Sequence, residues 1–191
     1  MKIIHIFGSE EGPEDGEGLW AVEYEGEPVN ELERLLTIWR DPEYMLDFCI
    51  ANFADIQKKF GYAIEPEIAA ELLMEEAVEL MGFLIRLAKK QSFGGILQHA
   101  FKPLNNFEAN MTVLQLSKAS SKTRDRRDPK LRIYAVRVGE NTYVVTGGAI
   151  KLTNRMEDRP HTDKQLRRLK TVRDWLNREG IIYPEDLTDL P

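Results

Sequence analysis

The sequence is poor in the residues from which many functional sites are built. Cys49 is the single cysteine in 191 residues, so no internal disulfide framework can form, and no Cys/His cluster has the spacing of a structural zinc site. A reducing interior fits that usage. His5, His99 and His161 are scattered in sequence, so no metal is expected. No apolar run approaches the ~18 residues needed to cross a bilayer, and Met1 to Phe7 is apolar over too few residues for a secretory signal. The expectation is a soluble, cytoplasmic protein without a membrane partner. Also missing are a phosphate-loop glycine pattern, a serine nucleophile elbow, a paired-histidine zinc helix and a plausible Cys/His couple, and no cofactor is implied.

What is present is enough apolar character to build a core. At 42% apolar residues the chain suits one ordinary domain, or a small domain with an extension, and intrinsic disorder is not expected. The net charge of −6 hides an asymmetry. Residues 1–100 hold 8 Lys/Arg against 20 Asp/Glu, a balance of −12, while residues 101–191 hold 18 against 12, a balance of +6. Between Lys118 and Arg178 the balance reaches +10, from 17 bases and 7 acids. Charge acts over about a Debye length of ~8–10 Å, so the two halves can face different partners. The alternative is a solvated face.

Apolar period divides the chain in the same place. Met1 to Phe7 and Leu19 to Tyr24 are β-rich, and Ser9 to Gly18 between them reads as an exposed acidic turn. Glu27 to Trp39 carries Leu32, Leu35, Leu36 and Trp39 at helical spacing, and Asp41-Pro42 opens a second helix. Pro66 to Gln91 is the strongest helix, with Ala70, Leu73, Ala77, Leu80 and Leu84 on one broad apolar face and Glu67, Glu71, Glu75 and Glu79 opposite. Beyond Gly94-Gly95 the period falls to two. Met111 to Leu116, Leu131 to Val138 and Tyr143 to Leu152 read as an antiparallel meander, with Gly139-Glu140-Asn141 as a tight hairpin. Gly147-Gly148 within the third run marks a bulge or a close backbone approach. Thr162 and Gln165 form a capping box for a last helix, which Gly180 ends. These readings predict an α+β fold: a helical N-terminal half packed on a three- to four-stranded antiparallel sheet, closed by a C-terminal helix. Residues 1–65 form an acidic N-terminal extension and residues 66–191 the principal fold, together one compact unit.

The basic half holds the candidate chemistry. Lys118, Lys122, Arg124, Arg126, Arg127 and Lys130 crowd the loop before Leu131, Arg132 and Arg137 lie on the following strand, and Lys151, Arg155 and Arg159 follow the last strand. Arginine offers a planar fork for phosphate and lysine a point charge, a mixture suited to an RNA backbone. Tyr134 and Tyr143 are candidates for base stacking. The alternative is that these cations pair with acids of the first half, Arg132 with Glu75 or Glu79. The acids Glu75, Glu76 and Glu79 read as solvation of a helix face rather than as a catalytic pair.

The order of Phe101-Lys102-Pro103-Leu104, a basic loop, Leu131-Arg132-Ile133-Tyr134-Ala135-Val136, a hairpin, Tyr143 through Gly147-Gly148 to Thr153, and then a Pro160-opened helix resembles the RelE/HigB toxin superfamily, with its RelE/ParE fold, from about Glu67 to Gly180. The resemblance implies a divergent member with an acidic N-terminal extension: the toxin of a toxin–antitoxin pair, cleaving mRNA on the ribosome without metal through basic side chains that orient the 2′-hydroxyl and stabilise the pentacovalent phosphate. On that basis Arg132 matches the strand arginine and Lys151 the lysine after the last strand, and His161 follows the helix-opening proline; these are the implied catalytic residues. Lys118, Lys122, Arg124, Arg126, Arg127 and Arg155 are the implied RNA contacts. The implied partner is a small antitoxin, of helix-turn-helix type, covering the basic sheet. A non-catalytic binding module with the same fold and a gyrase-targeting relative are the alternatives.

Overall fold

The computed structural model describes residues 1–8, 18–89, 97–105, 114–120 and 128–190. Two strands come first, β1 (Lys2–Gly8) and β2 (Gly18–Glu23). Four helices follow: α1 (Glu31–Ile38), α2 (Pro42–Ala51), α3 (Phe53–Phe60) and α4 (Pro66–Lys89). A short α5 (Leu97–Ala100) leads into β3 (Lys102–Pro103), β4 (Gln115–Ala119), β5 (Leu131–Gly139) and β6 (Thr142–Ile150), and α6 (Pro160–Arg178) follows them.

The strands form one six-stranded sheet in the order β1-β2-β6-β5-β4-β3. This overturns the expected three- to four-stranded antiparallel sheet beneath a helical first half. The chain begins with strands, and β2 joins β6 in parallel, Gly18 opposite Thr142 and Ala21 opposite Val145. The physical reason is that strand character is local while pairing is not. A parallel partner needs a crossover, here spanning more than a hundred residues, and apolar period carries no trace of it. The meander β4-β5-β6 is antiparallel as expected, and the first 65 residues contribute two strands and three helices to the same fold.

Alternation along the strands assigns two faces. Leu19, Ala21, Leu131, Ile133, Ala135 and Val145 pack with Leu35, Trp39, Met45, Leu73 and Leu80 of the N-terminal helices. Trp20, Val22, Tyr134, Val136 and Val144 pack with Leu166, Leu169, Val172 and Leu176 of α6. Burying one such Leu or Val side chain stabilises the fold by about 1.5–3 kcal/mol. The helices start where their sequences supply caps: the Asn30 side chain accepts from the Glu33 amide, and Asp41 accepts from the Glu43 and Tyr44 amides ahead of Pro42. The capping box at Thr162 is not formed. The last helix starts two residues earlier, at Pro160, and the Thr162 hydroxyl instead donates to the carbonyls of Arg159 and Met156. Of the expected strand over 111–116, residues 111–113 lie outside the described residues and β4 begins at Gln115.

Two local features hold the sheet to its helices. Glu76, expected on a solvated face, is 1% exposed, and its carboxylate accepts the amides of Lys130 at 3.0 Å and Leu131 at 2.7 Å, anchoring the start of β5 to α4. Gly147 and Gly148 follow a register shift that leaves Thr146 as an extra residue, the bulge expected from the sequence. The pair also brings helices close on opposite faces: a Cβ on Gly147 would collide with Gln165 of α6, and one on Gly148 with Trp39 and Leu35 of α1.

Gly148→Ala tests this close approach. Its Cβ would lie 2.7 Å from a Trp39 ring carbon and 2.8 Å from the Arg132 carbonyl oxygen, so backbone must move. The expected loss is about 1–3 kcal/mol in chemical denaturation. An unchanged midpoint would mean that α1 is not held against the strand.

Candidate nucleic-acid interface

A concave cleft of about 950 Å³ opens on the α6 face of the sheet, between β4, β5, the segment after β6, and α6. Its cations are Lys118, Lys151, Arg155, Lys170 and Arg173, with Glu157 as the acid among them, over a floor of Leu104, Leu114, Leu116, Met156 and Leu166. The local structure explains each position. Along β4, Gln115, Ser117 and Ala119 are buried, which turns Leu116 and Lys118 toward the cleft, and Lys118 stands opposite Tyr134 in register. On α6, Leu166, Lys170 and Arg173 recur at helical spacing and form one stripe. Lys151 follows the last residue of β6 and Arg155 precedes the short turn over Met156–Asp158.

Neutral oxygens orient two of the amines. The Lys118 ammonium donates to the Leu104 carbonyl at 2.9 Å, and that of Lys151 to the Asn154 carbonyl at 2.7 Å. For Lys151 the Asn154 carbonyl fixes a direction without cancelling a full charge. Burial, then the positive charges of Arg132 and Lys59, hold the Lys151 amine below the usual lysine range. Tyr134, 1% exposed, also borders the cleft; its hydroxyl has no hydrogen-bond partner among the described residues, and burial pushes its pKa up.

The cleft therefore unites four residues singled out from the sequence, Lys118, Tyr134, Lys151 and Arg155, with two that were not, Lys170 and Arg173. The latter two carry a signal in their spacing on one side of α6, which the apolar stripe of that helix masks. Arg132 projects from the same face of β5 as Tyr134 but stands off the cleft wall, its guanidinium donating to the Leu131 carbonyl at 2.9 Å. Burial lowers its pKa, opposed by Tyr134, Glu76 and Asp128, so the acid within its electrostatic reach on α4 is Glu76 rather than Glu75 or Glu79. His161 lies elsewhere, in a separate cavity, with Nε2 2.9 Å from the Ile150 carbonyl and its ring edge-on to Phe48. Lys122, Arg124, Arg126 and Arg127 lie outside the described residues.

Several cations serve the fold instead. Lys130 is 8% exposed and donates to the Asp128 carboxylate at 3.1 Å, Arg137 is 8% exposed within β5, and Arg168 pairs with Glu31 at 3.1 Å. Arg159 makes a two-pronged contact to Asp55 of α3, at 2.5 and 2.8 Å. The expected base stacking by Tyr134 and Tyr143 is corrected by burial: they are 1% and 0% exposed, because both rings point into the core, and Tyr143 stacks on Phe101 at 4.5 Å. Among the described residues no group of three His, Cys, Asp or Glu is placed to hold a metal ion, and no helix is long and apolar enough to cross a membrane.

The Arg159 contact sets a pH dependence. The guanidinium beside Asp55 holds its carboxyl below the usual carboxylate range. The unfolded chain then binds the proton first as pH falls, so the stability from this pair is complete above the unfolded value of ~3.9 and is lost as pH drops through the lower folded value. Asp55→Asn is expected to lower stability by about 1–3 kcal/mol at neutral pH. The difference from wild type, measured by urea denaturation at decreasing pH, should shrink below about pH 4; a difference independent of pH would rule out the ionic contact.

Comparison with protein-family models, with curated proteins and with solved structures gives no match to this chain.

Proposed function

We propose that this protein binds single-stranded RNA in the cationic cleft and cleaves it without a metal, as the toxin of a toxin–antitoxin pair acting on ribosome-bound mRNA. The observation that carries the reading is the gathering of five cations from separated parts of the chain into one concave site whose lining, among the described residues, includes one acid, Glu157, while Arg173 also pairs with the neighbouring Asp174. A cleft of that size takes a short run of backbone phosphates, and its charge excess attracts them at the expense of bound counterions. The order of elements on which the RelE/HigB resemblance rests supports the same reading. Lys102 and Pro103 pair with Lys118 and Ser117, the three following strands form a meander, and Pro160 opens the last helix.

In this reading Lys151 is the general base. A depressed pKa leaves more of its amine neutral, able to take the proton of a 2′-hydroxyl as that oxygen attacks the adjacent phosphorus. Arg155 and Lys118 stabilise the charge on the pentacovalent phosphate, and the 5′-oxygen leaves, taking a proton from water, to give a 5′-hydroxyl and a 2′,3′-cyclic phosphate. Arg132 acts as a positioning residue, because its charge lowers the Lys151 pKa without touching the cleft. A small antitoxin bearing acids complementary to the cleft would inhibit by covering it. The second reading, RNA binding without cleavage, is favoured by one observation: His161 is turned away into its own cavity and supplies no acid to the cleft.

RNA affinity measured by fluorescence anisotropy across salt concentrations tests the site. Lys170→Ala and Arg155→Ala should each weaken binding and flatten the slope of log K against log salt by about 0.7, while Arg167→Ala, on the exposed side of α6 and paired with Asp163, should leave it unchanged. Cleavage of ribosome-bound mRNA should rise with pH as Lys151 loses its proton, and Lys151→Met should abolish it while RNA remains bound. Binding with intact RNA at every pH selects the non-catalytic reading. No RNA affinity above that of the Lys170→Ala, Arg155→Ala double variant rejects both.

A further inference from the structure

A second cavity, of about 260 Å³, lies on the other side of β6 from the RNA cleft, where α1, α2 and α6 close over the strand. It exists because β2 stops short. The parallel pairing ends at Val145, and β6 runs on to Ile150 with β5 alone beside it. On the uncovered edge, side chains replace the missing strand: the Tyr24 hydroxyl donates to the Thr146 carbonyl at 2.7 Å, and His161 meets the Ile150 carbonyl at 2.9 Å. The Lys151 amide donates to Lys130, so the hydrogen-bonded rungs to β5 fall on alternate residues, and Gly148 presents its N–H and C=O to the open edge. Gly148 lines the cavity.

Three features of the wall define what fits there. Trp39, Tyr44 and Phe48 make it aromatic. Its charge is unbalanced by one: Arg34, Lys164 and Arg168 stand against Glu27 and the buried carboxylate of Glu31, which serves both Arg34, at 2.6 and 2.9 Å, and Arg168, at 3.1 Å. Finally Gln165, 8% exposed, forms no side-chain hydrogen bond among the described residues, and its amide oxygen is buried. A buried amide oxygen without a partner destabilises the fold, and the surplus cation at the cavity rim attracts an anion; one ligand can satisfy the first and pair with the second. The volume falls just below the ~300–1,000 Å³ of sites for drug-sized ligands, which suits a single ring with short substituents.

We propose that this cavity binds a small aromatic carboxylate bearing a ring hydroxyl or amine. The ring lies against Trp39 and Phe48, the carboxylate faces Lys164 and Arg34, and the ring substituent bonds the Gln165 amide and the open edge at Gly148. The site stands apart from the RNA cleft, so it holds whether or not the protein cleaves RNA.

The probe is 4-hydroxybenzoate, titrated into the full chain by isothermal calorimetry, with phenol and inorganic phosphate as the two partial ligands. Saturable one-site binding is expected, stronger than either partial ligand. Lys164→Ala, an exposed position with little bearing on folding, should weaken it about tenfold, the effect of one charge-assisted contact. Gln165→Leu should weaken 4-hydroxybenzoate but not benzoate, with no loss of melting temperature. Lys170→Ala, in the other cleft, should change nothing. The proposal is overturned by the absence of saturable binding, by phosphate binding as well as the aromatic acid, or by an affinity that follows Lys170 rather than Lys164.

Discussion

The structure depends on the burial of β6. All nine of its residues are buried, with β2 parallel on one side, β5 antiparallel on the other, and helices against both faces. A strand enclosed in this way must be apolar or small throughout, and Thr-Tyr-Val-Val-Thr-Gly-Gly-Ala-Ile satisfies that condition. The two glycines do the rest. Each faces a different helix, so α1 and α6 both reach the backbone at adjacent residues. Because the chain must supply β2 before it can complete the sheet, the N-terminal residues are part of the core rather than an attachment to it.

Both cavities follow from where β6 loses its neighbours. Beyond its last rung the chain turns away with Lys151 and Arg155, and the cleft forms between that turn, β4 and α6. On the opposite edge β2 ends early, and the second cavity fills the remaining length of the strand. The helix α6 borders both, with Lys170 and Arg173 toward one and Lys164, Gln165 and Arg168 toward the other. Its cations are thus divided by helical phase, about 100° per residue, between two surfaces that the linear sequence runs together.

The same division explains the fate of the basic half's charge. Arg159 and Arg168 neutralise Asp55 and Glu31, acids from the first half, so the opposition of charge between the halves is partly consumed in holding them together. In both pairs the carboxylate is the buried member, so removing the arginine leaves a buried charge without its partner.

Period and capping in the sequence determined the helices at Glu31, Pro42 and Pro66, the meander, and the bulge at the two glycines, because each depends on neighbours within a few residues. Lys118, Lys151 and Arg155 were legible as a cationic group for the same reason, since two antiparallel hairpin connections leave few ways to arrange them. The tertiary structure alone decided that β2 pairs with β6, since nothing local records a partner more than a hundred residues away. It also decided which charges are spent: Glu76 reads like its neighbours Glu75 and Glu79 but faces inward to the β5 amides, and His161 reads as a companion of Lys151 but sits on the far edge of the strand. Residue type and spacing specify which groups a surface can hold, while the direction each one faces is set by the packing of elements distant in the chain.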